Sequence, residues 1–202
     1  MHRVTASARE RAIERITRLA RQPRDLVSFW QESTEVLRTS IPYYWTPCWY
    51  TLDPASLLIT SHFHEGMPEF PSEWLAHEYY GDDFNKLVDV ARSASGVSTL
   101  HESTNGDPSR SWRWHQNMKL GGEQELVARL RSRTGEVWGA LGLYREPGQP
   151  MFDDPTNSSC WHLHPNWPRV QGGRCWWVRP LIRRDRIRQA SSSSTSSGTS
   201  IP

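Results

Sequence analysis

The chain lacks an uninterrupted apolar run of the roughly 20 residues that a membrane-spanning helix needs. Its charged start, MHRVTASARERAIERI, does not fit the apolar core of a signal peptide. Only three cysteines occur, Cys48, Cys160 and Cys175, and their odd number and wide separation exclude the dense disulfide framework of a small secreted domain. We therefore expect a protein of the reducing cytoplasm that has no membrane segment.

Strong charge of either sign is also missing. The sequence has 24 basic and 22 acidic side chains and a formal net charge of +2, which excludes nucleic-acid binding driven by bulk electrostatics. Apolar residues are scarce, at 36% of the chain, and almost none occurs in the final SSSSTSSGTSIP. These features predict a folded body followed by a disordered tail.

The first 42 residues carry two stretches with helical spacing of their apolar residues. Residues 7–19 place alanine, isoleucine and leucine at intervals of three to four, and Pro23 ends this pattern. Residues 24–39 repeat it and stop before Pro42. The pattern predicts an N-terminal helical pair over residues 1–42.

Two segments have the alternation and turn residues of antiparallel hairpins. The first covers residues 45–53 and 57–64 around the turn DPA, and the second covers residues 126–131 and 137–144 around a turn with glycine. Helical patterns lie between them, in SEWLAHEYY, DDFNKLVDVARS and SWRWHQNM, with a short strand in GVSTLHES. This order predicts an α+β fold built on an antiparallel sheet flanked by helices.

Four phrases of the sequence, taken in order, are more specific than this fold class. They are WYTLDPASLLITSHFHEG, EYYGDDFNKLVDVARS, STLHESTNGDPSRS and LGGEQELVARLRSRTGEVWGALGLYREPGQPMFD. Together, over residues 9–154, the chain resembles the GAF-like N-terminal sensor region of LuxR-type helix-turn-helix transcriptional regulators. The resemblance implies a GAF-like sensor domain over residues 43–154, with a small-molecule pocket between the sheet and the segments that cross it.

The resemblance ends at residue 154. It implies a further helix, a linker and a DNA-reading helix-turn-helix, but residues 155–202 have neither helical period nor family likeness. Tryptophan has a single codon and cysteine has two, so the nucleotide sequence that encodes CWWV in GGRCWWVRP is almost fully determined. Translated in the frame that starts at the third codon positions, it gives the apolar sequence Leu-Val-Gly. We therefore interpret residues 155–202 as an irregular, disordered tail translated out of frame after a one-nucleotide slip, and the chain as a truncated regulator that has lost its function or kept only its sensor.

Five aromatic residues on the two predicted hairpins are candidates to bind a small-molecule effector: Trp45, Trp49, Tyr50, Trp138 and Tyr144. Large aromatic side chains line many ligand pockets, but they also fill ordinary cores, and both interpretations stay open for each residue. No catalytic set of Ser, His and Asp or of Cys and His can be assembled by spacing. We therefore predict a non-enzymatic sensor or interaction domain that needs no cofactor and forms a homodimer through its helices or an exposed sheet face.

Two other functions compete with this hypothesis. His62 and His64 alternate along a predicted strand and Glu69 follows, which is a spacing seen in metal sites, so a metal protein or an enzyme is one alternative. The C-terminal stretch RPLIRRDRIRQ, beside Trp176 and Trp177, is the basis of the other, a non-specific nucleic-acid binder. Sequence-specific DNA binding is not expected, because no helix or ribbon is predicted to read bases.

Overall fold

A computed structural model describes residues 6–67, 71–132 and 134–152, with side chains of the first helix described from Arg11 on. The helices are α1 Ala6–Ala20, α2 Leu26–Arg38, α3 Ser72–Tyr80, α4 Leu87–Arg92, α5 Leu100–Ser103 and α6 Trp112–Lys119. The strands are β1 Cys48–Leu52, β2 Ile59–Phe63, β3 Val97–Thr99, β4 Gln124–Arg131 and β5 Val137–Arg145. A short 3-10 turn, Pro108–Arg110, precedes α6.

The strands form one antiparallel sheet in the order β2-β1-β5-β4-β3. The α+β class predicted from the sequence is thus confirmed. Both predicted hairpins are present, β1 with β2 and β4 with β5, because turn residues and alternating apolar residues agree there. Since hairpin neighbours pair directly, the two hairpins lie side by side and join through β1 and β5.

One face of the sheet packs against the N-terminal helices. The apolar stripe of α1, with Ala12 and Ile16, shares a single core with Leu126, Ala128 and Leu141 of the sheet. Aromatic residues extend that core, and Trp30 of α2 stacks on both Trp49 of β1 and Phe63 of β2, with ring centroids 6.3 Å and 5.6 Å away. We call this the α1–α2 face of the sheet.

The opposite face of the sheet packs against α4. Leu52, Val127 and Ala140 point from three strands toward Leu87, Val90 and Ala91. In an antiparallel sheet, paired residues point to the same side, so Glu125 and Tyr144, which pair across β4 and β5, lie on this face as well. We call it the α4 face, and it carries the polar residues described below.

The last described residues fold back onto the α1–α2 face. Phe152 is 2% exposed, and its backbone N–H donates to the Gln124 side-chain oxygen at 3.0 Å. Arg145 lies 4.1 Å from the centroid of the Phe152 ring and donates to the carbonyls of Pro42 and Pro150 at 2.8 Å and 2.6 Å. The end of β5 is thereby held against both the segment that precedes β1 and the segment that follows β5.

Some boundaries differ from the sequence prediction. The helix expected over DDFNKLVDVARS begins only at Leu87, since Asp83 accepts instead from the N–H groups of Phe84 and Arg113. The N–H of Leu87 donates to Glu78 of α3 at 2.6 Å, so a distant carboxylate occupies the capping role. No helix in the described part of the chain is long and apolar enough to cross a membrane. The tail prediction for residues 155–202 lies outside the described residues.

Candidate functional site

Arg113 of α6 joins two carboxylates beneath the α4 face. Its Nη2 donates to Glu78 of α3, and its Nη1 lies 3.3 Å from a carboxylate oxygen of Glu125 on β4. The Glu78 and Glu125 side chains are 6% and 1% exposed, and that of Arg113 is 15% exposed. A buried guanidinium therefore connects two helices to the sheet.

Asn85 completes this group from the loop that precedes α4. Its side-chain nitrogen lies 3.4 Å from the second oxygen of Glu125. Its backbone has φ +56°, a left-handed conformation that asparagine adopts more readily than most residues. We refer to Glu78, Asn85, Arg113 and Glu125 as the buried polar cluster.

The environment shifts the proton affinities in this cluster. Burial raises the pKa of Glu125 above its ordinary value, and the attraction of Arg113 offsets this only in part. Burial alone would lower the pKa of Arg113, but Glu125 and Glu78 raise it well above its ordinary value. Arg113 is thus permanently charged, while Glu125 is the carboxylate that binds a proton more readily than usual.

Several buried polar atoms in and beside the cluster have no hydrogen-bond partner within the described part of the chain. They are Oδ1 of Asn85, Nε of Arg113, and both Oδ1 and Nδ2 of Asn117. Asn117 is 1% exposed and lies one helical turn after Arg113, so its side chain leaves α6 on the same side. Because an unpaired buried polar group costs about 1–3 kcal/mol, these four atoms need an explanation.

An aromatic and sulfur group borders the cluster on the same face. Tyr144 pairs with Glu125 across the sheet, and its ring lies 5.0 Å from that of Trp45. Cys48 and Met67 pack against these rings with their sulfur atoms 3.3 Å apart, and Tyr50 joins them at the edge. Tyr144 and Cys48 are buried, whereas Trp45 and Tyr50 are partly exposed, so the group extends from the interior to the surface.

The titratable members of this group are held neutral. Burial raises the pKa of the Cys48 thiol to about 12 and raises the pKa of the Tyr50 and Tyr144 hydroxyls well above the ordinary value. A nucleophilic cysteine needs the thiolate form near neutral pH. We therefore expect Cys48 to be a packed thiol that reacts slowly.

His77 and Trp112 flank the cluster on its outer side. Their rings lie 4.1 Å apart, and Nε2 of His77 is 3.3 Å from the buried Asp83 carboxylate. Asp83 also accepts from the backbone N–H of Arg113 at 3.0 Å, which fixes the start of α6. These contacts fix the position of α6 over the sheet, and with it the direction of Arg113.

The structure divides the five aromatic residues predicted to bind an effector. Trp45, Tyr50 and Tyr144 come together on the α4 face. Trp49 lies on the α1–α2 face, where its indole N–H donates to Thr34 at 3.0 Å. Trp138 packs against that same core, since a register shift near Leu130 interrupts the alternation of β5. The five residues thus belong to two separate groups.

The histidine pair proposed as a metal site lies along β2 and just beyond it. The His62 and His64 rings stack with centroids 5.3 Å apart, and His62 is exposed. Glu69, the third predicted ligand, lies outside the described residues. Among the residues that the structure describes, no three His, Cys, Asp or Glu side chains are grouped to hold a metal ion. The C-terminal arginine and tryptophan segment also lies outside them.

The buried polar cluster was missed by sequence reasoning. Its members are separated by up to 47 positions in the chain, from Glu78 to Glu125, and no local pattern connects them. One signal was present: Glu125 lies two positions before Val127, so the strand alternation places a carboxylate on the buried α4 face. No family model matches the chain, and no curated protein matches it.

Proposed function

We propose that the protein is a non-enzymatic sensor domain that binds a small-molecule effector on the α4 face of its sheet. The proposal rests on the side-chain amide of Asn117, which is buried yet has no hydrogen-bond partner among the residues that the structure describes. Buried polar groups in proteins are almost always paired, and a bound ligand supplies the missing partners. The resemblance to the sensor region of LuxR-type regulators supports the same function.

The buried polar cluster and the aromatic group beside it have the composition of a ligand site. Trp45 and Tyr144 supply apolar ring surface, while Arg113, Asn85 and Glu125 supply a few oriented polar groups. Small-molecule sites commonly combine these two features. Trp45 and Tyr50 are partly exposed members of this group.

A structural role for the cluster makes a different prediction from a binding role. If Asn117 only supported the fold, its replacement by leucine would destabilise the protein. If it is kept for a ligand, Asn117→Leu removes an unpaired buried amide at similar side-chain size and stabilises the free protein by up to about 1–3 kcal/mol. The variant then loses effector binding while its melting temperature rises.

The test uses the full chain purified under native conditions. Native mass spectrometry detects a small molecule that co-purifies, and a thermal-shift screen of metabolites detects one that does not. Asn117→Leu is compared with Lys119→Leu, a matched change at an exposed position of the same helix. Binding by the parent and the control, with none by a stable Asn117→Leu, supports the proposal. A destabilised Asn117→Leu variant together with an empty screen contradicts it.

A further inference from the structure

The buried polar cluster contains more negative than positive charge. Glu78 and Glu125 share a single cation, Arg113. A third buried carboxylate, that of Asp83, accepts from the backbone N–H of Arg113, and His77 beside Asp83 contributes positive charge only when protonated. Burying an uncompensated carboxylate is costly, so the site needs a proton or a second cation.

Acceptors for such a cation are available next to the surplus carboxylate. The unpaired Oδ1 atom of Asn85 belongs to the side chain that contacts Glu125, and the unpaired Oδ1 atom of Asn117 follows one turn after Arg113. Carboxylate and amide oxygens accept from an ammonium group, which carries only donors. The Glu125 carboxylate and the unpaired Oδ1 of the Asn85 side chain thus lie close together, and Asn117 adds a third oxygen one helical turn along α6 from Arg113.

The aromatic rings beside these oxygens suit the same kind of ligand. The rings of Trp45 and Tyr144 are tilted by 57° with their centroids 5.0 Å apart, and Tyr50 of β1 packs against the same group. Rings of Trp and Tyr attract organic cations through their negative faces, and the attraction is greatest where water is excluded. They also cover the apolar body of a ligand.

We infer that the effector is an organic ammonium ion with an apolar or aromatic body, whose charged nitrogen pairs with Glu125 and displaces a proton from it. This inference rests on the proposed function and specifies its ligand. The exchange is balanced: Glu125 releases one proton to solvent, and the ammonium ion replaces that charge. The groups that face Glu125 are Glu78 from α3, Arg113 from α6, Cys48 and Tyr50 from β1, and Tyr144 from β5. Of these, the thiol and hydroxyls stay neutral. Glu125 is the carboxylate whose pKa is raised by burial, so we assign the released proton to Glu125.

Three probes of similar size separate charge from shape: phenethylamine, phenethyl alcohol and hydrocinnamate, which at neutral pH are cationic, neutral and anionic, so their affinities are compared there. Calorimetry on the full chain in two buffers of different protonation enthalpy measures both affinity and proton release. We expect the amine to bind at least about tenfold more tightly than the alcohol. We also expect binding to release protons at pH values near 4.5, where Glu125 is protonated, and to release fewer as the pH rises.

Two variants test the assignment to Glu125. In Glu125→Gln we expect the amine to bind no more tightly than the alcohol, and its binding to release no proton. The control Glu123→Gln, a matched change at the partly exposed position before β4, should bind and release protons like the parent. If Glu125→Gln does not fold, the buffer comparison on the parent chain still decides the matter. Tighter binding of the alcohol or of hydrocinnamate overturns the inference but leaves the proposed function standing. Failure of all three probes, with an empty metabolite screen, overturns both.

Discussion

Phe152 is the residue whose replacement tests the described fold most directly. Its side chain is almost fully buried in the core of the α1–α2 face, and its ring lies beneath the Arg145 guanidinium at 4.1 Å. Truncating a buried phenylalanine to alanine costs about 3–5 kcal/mol through lost burial and the cavity that remains. Because a typical domain has a total stability of about 5–15 kcal/mol, Phe152→Ala should leave a barely folded protein.

Urea unfolding followed by circular dichroism measures this effect on the full chain. Phe152→Leu keeps most of the apolar volume and should lose clearly less stability than Phe152→Ala. Tyr80→Ala, at a position 90% exposed, serves as the control and should stay within about 0.5 kcal/mol of the parent. If Phe152→Ala also stays within that range, the chain end does not contribute to the core and the reasoning is wrong.

Three further predictions follow from the site. The pKa of Glu125 is raised in the folded protein, so folding favours the protonated form of this carboxyl group, and the free energy of unfolding should fall as the pH rises above 4.5. Urea titrations at successive pH values measure this fall, and Glu125→Gln should abolish it. With Cys160 and Cys175 replaced by serine, the native protein should leave Cys48 unmodified by a thiol reagent until urea unfolds it, since its pKa is about 12. Elemental analysis should find no stoichiometric metal, and one bound ion lost in the His62→Ala, His64→Ala double variant would refute that prediction.

The sequence predicted the parts of the fold that depend on local pattern. The hairpin of β4 and β5 was found within one or two residues, since alternation and turn residues point to the same structure there. The first hairpin was predicted too long. Residues 45–47 were included in its first strand because the segment is rich in aromatic residues, but they do not pair with β2. Composition marks a sheet-like environment, but hydrogen-bond partners decide where a strand begins.

The candidate site could be predicted only in part. Tyr50 and Tyr144 were identified as aromatic residues on strands, and that much follows from sequence. The separation of Trp49 from Tyr50 follows from the strand period, but the position of Trp138 depends on a local register shift that no propensity encodes. The ion pairs of Arg113 depend on how α3 and α6 lie over the sheet, which is a tertiary property.

The alternation of β1 gives two neighbouring residues opposite surroundings. Trp49 lies in the closed apolar core with Trp30, while Tyr50, the next residue, faces the polar side of the sheet. A deletion of one residue before Trp49 would exchange these environments, placing a tyrosine hydroxyl in the apolar core and an indole next to Glu125. A change of length in this strand therefore moves each side chain beyond it to the opposite face of the sheet, whereas a substitution changes the contacts of one side chain only.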